Sequence, residues 1–117
     1  MRILLADDEQ FILDLMEMVL KSAGHTVRAV LNGELALKAL ESEGFDLVIT
    51  DFSMPKMDGL VLTKEIKARQ PALTVILLTG YGEGDSLPPN VDYVISKPLR
   101  TEALMEIVAR LDSKPSS

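Results

Sequence analysis

Acidic, hydroxyl and amine side chains stand at the ends of the apolar runs of this sequence. Asp7 and Asp8 follow the first run, Asp51 closes a run of aliphatic residues, and Thr79 and Lys97 end two later runs. Short apolar runs bounded by turn formers are typical of strands buried on both faces. Parallel strands bring their carboxyl ends to one edge, where open α/β sheets hold their sites. The sequence therefore predicts that these five polar groups cluster.

Three carboxylates in one crevice repel each other unless a cation neutralises them. Hard oxygen ligands suit Mg²⁺, which keeps several waters and completes its shell with phosphate oxygens. The Lys97 ammonium and the Thr79 hydroxyl are suited to bind phosphoryl oxygens. Asp51 is therefore a candidate nucleophile for a phosphoryl group, in a transfer that depends on Mg²⁺.

The elements that position these groups alternate between strand and helix. Strands are predicted over 3–6, 26–30, 47–50, 74–79 and 93–96, and helices over 10–23, after Asn32, from Asp58 to Arg69, and after Thr101. This alternation predicts βαβ units and a parallel sheet covered on both faces.

Local signals set the ends and the buried faces of these helices. Asn32, Asp58 and Thr101 are predicted N-caps. The first helix is expected to bury four residues at helical spacing: Ile12, Leu15, Met16 and Val19.

The segment from Gly80 to Asn90 interrupts the alternation. It carries three glycines and two prolines where a helix is expected between the fourth and fifth strands. Glycine costs about 1 kcal/mol and proline about 3 kcal/mol in a helix interior. A loop, or at most a single turn, is predicted there.

Composition excludes several classes of protein. The chain has 117 residues, enough for one domain, and no apolar run long enough to cross a bilayer. A net charge of −6 and an aromatic content of 4% disfavour direct nucleic-acid binding. The absence of cysteine excludes disulfides and thiolate metal sites, so a cytoplasmic setting is expected.

Four segments together resemble the receiver domain of two-component response regulators. They are the acidic run 7–9, the D-x-x-M-P-x-M-D-G run 51–59, Thr79-Gly80 and Lys97-Pro98. The resemblance covers essentially the whole chain. It implies an α/β, flavodoxin-like, doubly wound five-stranded parallel sheet in the order 2-1-3-4-5.

The resemblance also implies a role for each site residue. Asp51 is the acceptor of a phosphoryl group from a histidine kinase or a histidine phosphotransfer domain, and the phosphoryl group is later lost to water. Asp8, Asp51 and the Ser53 carbonyl are Mg²⁺ ligands, with Asp7 acting largely through water. Thr79 and Lys97 bind phosphoryl oxygens, and Lys97-Pro98 is a cis peptide.

Two departures from the family pattern fall on its usual output face. The connection over 80–90 is shorter than the family's helix by about one turn. The aromatic switch residue, normally three positions before the lysine, is replaced by Val94, and strand alternation sends Tyr93 to the opposite face. Dimerisation through this altered face stays open.

Two functions other than phospho-acceptance fit part of this pattern. An aspartate-nucleophile phosphohydrolase would place its acids as D-x-D after the first strand, which differs from the adjacent pair here. A phosphorylation-independent interaction module generally lacks one of the five site residues, all of which are present. Residues 1–112 are the expected receiver domain and 113–117 a tail or linker. Whether the domain is free-standing, part of a hybrid kinase or part of a longer regulator is open.

Overall fold

Strands and helices alternate along the chain in a computed structural model that describes residues 1–80 and 88–113. The strands in this part are β1 (Arg2–Ala6), β2 (Thr26–Val30), β3 (Leu47–Asp51), β4 (Thr74–Thr79) and β5 (Tyr93–Ser96). The helices in it are α1 (Gln10–Ser22), α2 (Gly33–Ser42), α3 (Gly59–Arg69) and α4 (Thr101–Asp112). The predicted strand positions are confirmed, with β1 beginning one residue earlier and β3 ending one residue later than predicted.

The five strands form one parallel sheet in the order β2-β1-β3-β4-β5. This confirms the predicted fold class and strand order. The register sets Ala6 beside Thr50 and Asp51 beside Leu78. Thr79 in turn pairs with Ser96, the residue before Lys97. The ends of β1, β3, β4 and β5 therefore meet at one edge of the sheet.

Each face of the sheet carries its own hydrophobic core. Ile3 and Leu5 point to the face covered by α1 and α4, whereas Leu4 and Ala6 point to the face covered by α2 and α3. All four side chains are fully buried. The central strands are therefore enclosed on both sides, and full burial of a Leu or Ile side chain contributes about 1.5–3 kcal/mol.

The capping predictions have a mixed outcome. Asn32 accepts a hydrogen bond from the Leu35 amide, and Asp58 accepts one from the Val61 amide, each at 2.9 Å. The prediction for Thr101 is wrong. Thr101 is the first residue of α4, and the preceding Arg100 is the N-cap without a side-chain hydrogen bond.

The buried stripe of α1 is rotated from the predicted one. The fully buried residues of α1 are Leu13, Met16 and Leu20. Of the predicted stripe only Met16 is fully buried, and its other three members are half-buried. Since apolar residues occupy both flanks of Met16, helical spacing alone could not choose between the two stripes.

The predicted loop over 80–90 lies mostly outside the described residues, because 81–87 are not described. Gly80 is a bend, and 88–90 are not helical. Tyr93 packs against the core on the face covered by α1 and α4. Strand alternation then sends Val94 to the opposite face. Tyr93 therefore does not occupy the position of the family's aromatic switch residue.

No helix within residues 1–80 and 88–113 is long and apolar enough to span a membrane.

Gly59 brings the start of α3 against the end of β3. Its amide donates to the Phe52 carbonyl at 2.7 Å. A Cβ at this position would collide with the Asp51 carbonyl oxygen and would lie 2.8 Å from a Leu77 methyl group. Glycine at this position therefore permits the tight return of the chain after Asp51.

We predict that Gly59→Ala lowers the free energy of unfolding by about 1–3 kcal/mol, the usual cost of overpacking. Gly44→Ala is the matched control, since a Cβ there has no heavy atom within 4 Å and its backbone is not left-handed. Urea unfolding of the two variants measures the difference. Equal stability of Gly59→Ala and wild type would contradict the close approach at Asp51.

Candidate functional site

The polar groups predicted to cluster lie at the carboxyl edge of the sheet. Asp51 is the last residue of β3 and is 1% exposed. Lys97 follows β5, and its amide donates to the Thr79 carbonyl at 2.8 Å. The Phe52 amide donates to the Leu78 carbonyl at the same distance, which extends the hydrogen bonding between β3 and β4 past Asp51. Backbone pairing therefore fixes where each functional side chain leaves the sheet.

Three carboxylates converge at this edge. One oxygen from each of Asp7, Asp8 and Asp51 lies within 4.8 Å of the other two. Asp7 and Asp51 are buried, whereas Asp8 is exposed. The arrangement places two acids at the floor of the site and one at its opening.

The Lys97 ammonium contacts the Asp51 carboxylate directly. Its Nζ lies 2.6 Å from Asp51 Oδ1 and 3.7 Å from Glu9 Oε1. The Lys97 side chain is 28% exposed, so this ion pair is more shielded from solvent than an ordinary surface pair. The peptide bond between Lys97 and Pro98 is cis, as the resemblance implies.

Burial and mutual repulsion perturb the charges of the site. Burial raises the pKa of Asp7 to about 6; the Glu9 amide hydrogen bond opposes this shift and the charge of Asp51 adds to it. Burial also raises the pKa of Asp51, against the opposing contact with Lys97. Burial lowers the pKa of Lys97, but the contact with Asp51 and the charges of Asp7 and Glu9 together outweigh it, so the pKa lies above its ordinary value. Keeping Asp7 and Asp51 ionised at the same time therefore costs free energy.

The carboxylate cluster fits a hard divalent cation. The three clustered acids and Glu9 lie around the Lys97 ammonium, which leaves an excess of negative charge. Asp7 Oδ1 accepts the Glu9 amide at 2.9 Å, whereas the buried Oδ2 has no hydrogen-bond partner among residues 1–80 and 88–113. Buried carboxylate oxygens without donors are suited to ligate a metal or its water. The donor set, all oxygen, matches Mg²⁺.

The assignments of Ser53 and Thr79 stay predictions. Ser53 lies two residues after Asp51 with its side chain exposed, so its expected contribution is the backbone carbonyl. Thr79 is buried at the end of β4, on the strand between those carrying Asp51 and Lys97. Both residues are at the correct edge of the sheet for these roles.

Glu9 belongs to the site and was not assigned a role by sequence reasoning. Its carboxylate lies 3.7 Å from the Lys97 ammonium. Its position directly after Asp7 and Asp8 is the sequence signal that could have indicated this role. A third consecutive acid is equally typical of the start of a helix, where negative charge is favourable.

Comparison with known proteins decides the family. The model of the response regulator receiver domain matches residues 3–109. The chain belongs to the receiver domain family of response regulators. Among solved receivers, the response regulator TrrA of Thermotoga maritima, in complex with Mg²⁺ and beryllofluoride, is similar with a TM-score of 0.86 and 36% identity. The similarity covers 94% of this chain and 97% of TrrA.

Curated relatives of this receiver differ in length. It is 38% identical to the response regulator FleR of Pseudomonas aeruginosa over 93% of its own length but 24% of FleR. It is 32% identical to the receiver protein CpdR of Brucella abortus, covering 94% of this chain and 95% of CpdR. The first relatives are thus regulators of which this receiver spans about a quarter.

We predict that Asp7→Asn stabilises the metal-free receiver at neutral pH. The pKa of Asp7 lies above its ordinary value of 3.8, so the free energy of unfolding of the wild type falls as pH rises from about 4 to about 6. The uncharged amide lacks this loss, and its Oδ1 still accepts the Glu9 amide. A gain of about 1–3 kcal/mol is expected at pH 7.5 in chelator.

Urea unfolding at pH 7.5 and pH 4.5 measures this gain, which is expected to shrink at the lower pH. A gain that is absent, or that is larger at pH 4.5, would contradict the raised pKa that burial gives Asp7.

Proposed function

We propose that this receiver accepts a phosphoryl group on Asp51 from the phosphohistidine of a histidine kinase or a histidine phosphotransfer domain. The observation that carries the proposal is the position of the buried Asp51 carboxylate, which lies beside two further acids and 2.6 Å from the Lys97 ammonium. This constellation supplies a nucleophile together with groups that bind the charge of a phosphoryl group.

The transfer follows from the placement of these side chains. An Asp51 carboxylate oxygen attacks phosphorus, the bond from phosphorus to the donor imidazole breaks, and the imidazole keeps the electron pair. Lys97 and Thr79 bind phosphoryl oxygens and absorb charge in the transition state. Rigid strand ends hold these groups, so positioning accounts for much of the catalysis.

Asp7, Asp8, Asp51 and the Ser53 carbonyl would hold the Mg²⁺ ion. When bound, Mg²⁺ neutralises the carboxylates and the developing charge on the phosphoryl oxygens. The similarity to TrrA, which was solved with Mg²⁺ and beryllofluoride, supports this proposal.

The proposed phosphoryl transfer also indicates where and as what unit the receiver acts. We propose that residues 1–112 are the signalling unit and act in the cytoplasm, where phosphohistidine donors are available. Phosphorylation and its loss to water are carried out by the receiver itself rather than by turnover of a separate substrate. With its net charge of −6, this domain would not contact nucleic acid directly.

We predict that Asp51→Asn abolishes phosphorylation by an acyl phosphate, since the amide is not a nucleophile for phosphorus. The fold is expected to survive, because Asn is isosteric and removes one of three repelling charges. Intact-protein mass spectrometry after incubation with the donor and Mg²⁺ measures the label.

Asp14→Asn is the matched control, because Asp14 is an exposed acid on α1 whose side chain contacts Gln10. This control is expected to be labelled like the wild type. Undiminished labelling of Asp51→Asn would reject Asp51 as the acceptor.

We further predict that Asp8→Asn weakens Mg²⁺ binding by about tenfold or more, a loss that even outer-shell partners of a metal produce. Removal of Mg²⁺ by chelator is expected to stop labelling of the wild type. Isothermal titration with Mg²⁺ compares wild type, Asp8→Asn and Asp14→Asn. Equal affinities in all three would show that the carboxylate cluster is not the metal site.

A further inference from the structure

The Glu9 side chain points into the site instead of capping its helix. Glu9 is the N-cap residue of α1, yet its side chain makes no capping hydrogen bond. Its carboxylate instead lies 3.7 Å from the Lys97 ammonium, which also contacts Asp51 at 2.6 Å. Lys97 is therefore shared between the acceptor aspartate and a second carboxylate on the rim.

The backbone on both sides of this contact is held in place. The Glu9 amide donates to Asp7 Oδ1 at 2.9 Å, and the Glu9 carbonyl accepts the Leu13 amide at 3.1 Å. Lys97 is tied to β4 because its backbone amide donates a hydrogen bond to the Thr79 carbonyl at 2.8 Å. The approach of Glu9 to Lys97 is thus built by the two elements that carry these residues. Many exposed ion pairs lack such support.

A phosphoryl group on Asp51 competes with Glu9 for the same ammonium. The incoming group is strongly anionic and requires Lys97 to neutralise it. Glu9 holds part of that charge and adds a negative charge of its own to the rim. We propose that Glu9 is a positioning residue that weakens the binding of a phosphoryl group at Asp51 by competing for Lys97.

This proposal rests on the proposed function of Asp51 and assigns a regulatory consequence to it. Without the Glu9 charge, Lys97 is free to turn fully toward the group on Asp51. Glu9 therefore lowers the affinity of the site for phosphoryl mimics and disfavours the phosphorylated state. The effect is local to Lys97 and does not depend on the net charge of the domain.

The test measures the affinity for beryllofluoride at saturating Mg²⁺, after the Mg²⁺ affinity of each variant has been determined. Glu9→Gln is expected to bind beryllofluoride about two- to fivefold more tightly than wild type, the range for one partly exposed ion pair. Glu9→Asp keeps the charge on a shorter side chain and is expected to lie between the two. Asp14→Asn, which removes an exposed α1 charge that contacts Gln10, is expected to match wild type.

Ionic strength supplies a readout that a merely structural role of Glu9 would not change. The difference between Glu9→Gln and wild type is expected to shrink from low to high salt, because the Debye length falls from about 30 Å to about 3 Å. The free energy of unfolding in urea is expected to change little in Glu9→Gln and in Glu9→Asp, since the Glu9 side chain is 61% exposed.

Equal or weaker beryllofluoride binding by Glu9→Gln would overturn the proposal. An equal gain in Asp14→Asn would also overturn it, since the effect would then belong to net charge. Failure of the proposed function of Asp51 would give a different result. In that case wild type and Glu9→Gln would not bind beryllofluoride, or their binding would persist in the Asp51→Asn variant.

Discussion

The contact between the Asp51 carboxylate and the Lys97 ammonium is the interaction on which the site depends. It joins the ends of β3 and β5, two strands separated in the sheet by β4. A buried carboxylate is costly unless an opposite charge accompanies it. Lys97 supplies this charge, and the parallel sheet supplies the geometry that brings the two groups within 2.6 Å.

The remaining charges make this arrangement useful and also expensive. Asp7 and Asp8 add negative charge that one ammonium does not balance, and burial raises the pKa of both Asp7 and Asp51. The two hydrophobic cores, with fully buried aliphatic side chains on each face of the sheet, offset this cost. The fold thereby gives up some stability to hold a strained site, and binding a cation together with an anionic group stabilises that site.

Much of this organisation follows from the sequence, and the exceptions have physical reasons. Strand positions and the caps at Asn32 and Asp58 are encoded in local patterns. The buried stripe of α1 was misplaced because its apolar residues form two overlapping stripes, and only packing against the sheet selects the one through Leu13. The role of Glu9 depends on a contact with Lys97, which is distant in sequence and which no local pattern reports.

A crystal structure of this receiver grown with Mg²⁺ and beryllofluoride tests the central claim most directly. The account predicts beryllofluoride bonded to an Asp51 carboxylate oxygen, with the Lys97 ammonium on a fluorine. It predicts Mg²⁺ held by Asp7, Asp8, Asp51 and the Ser53 carbonyl. Beryllofluoride bound away from Asp51 would contradict this account. A Lys97 ammonium that stays paired with the Asp51 carboxylate and contacts no fluorine would contradict it as well.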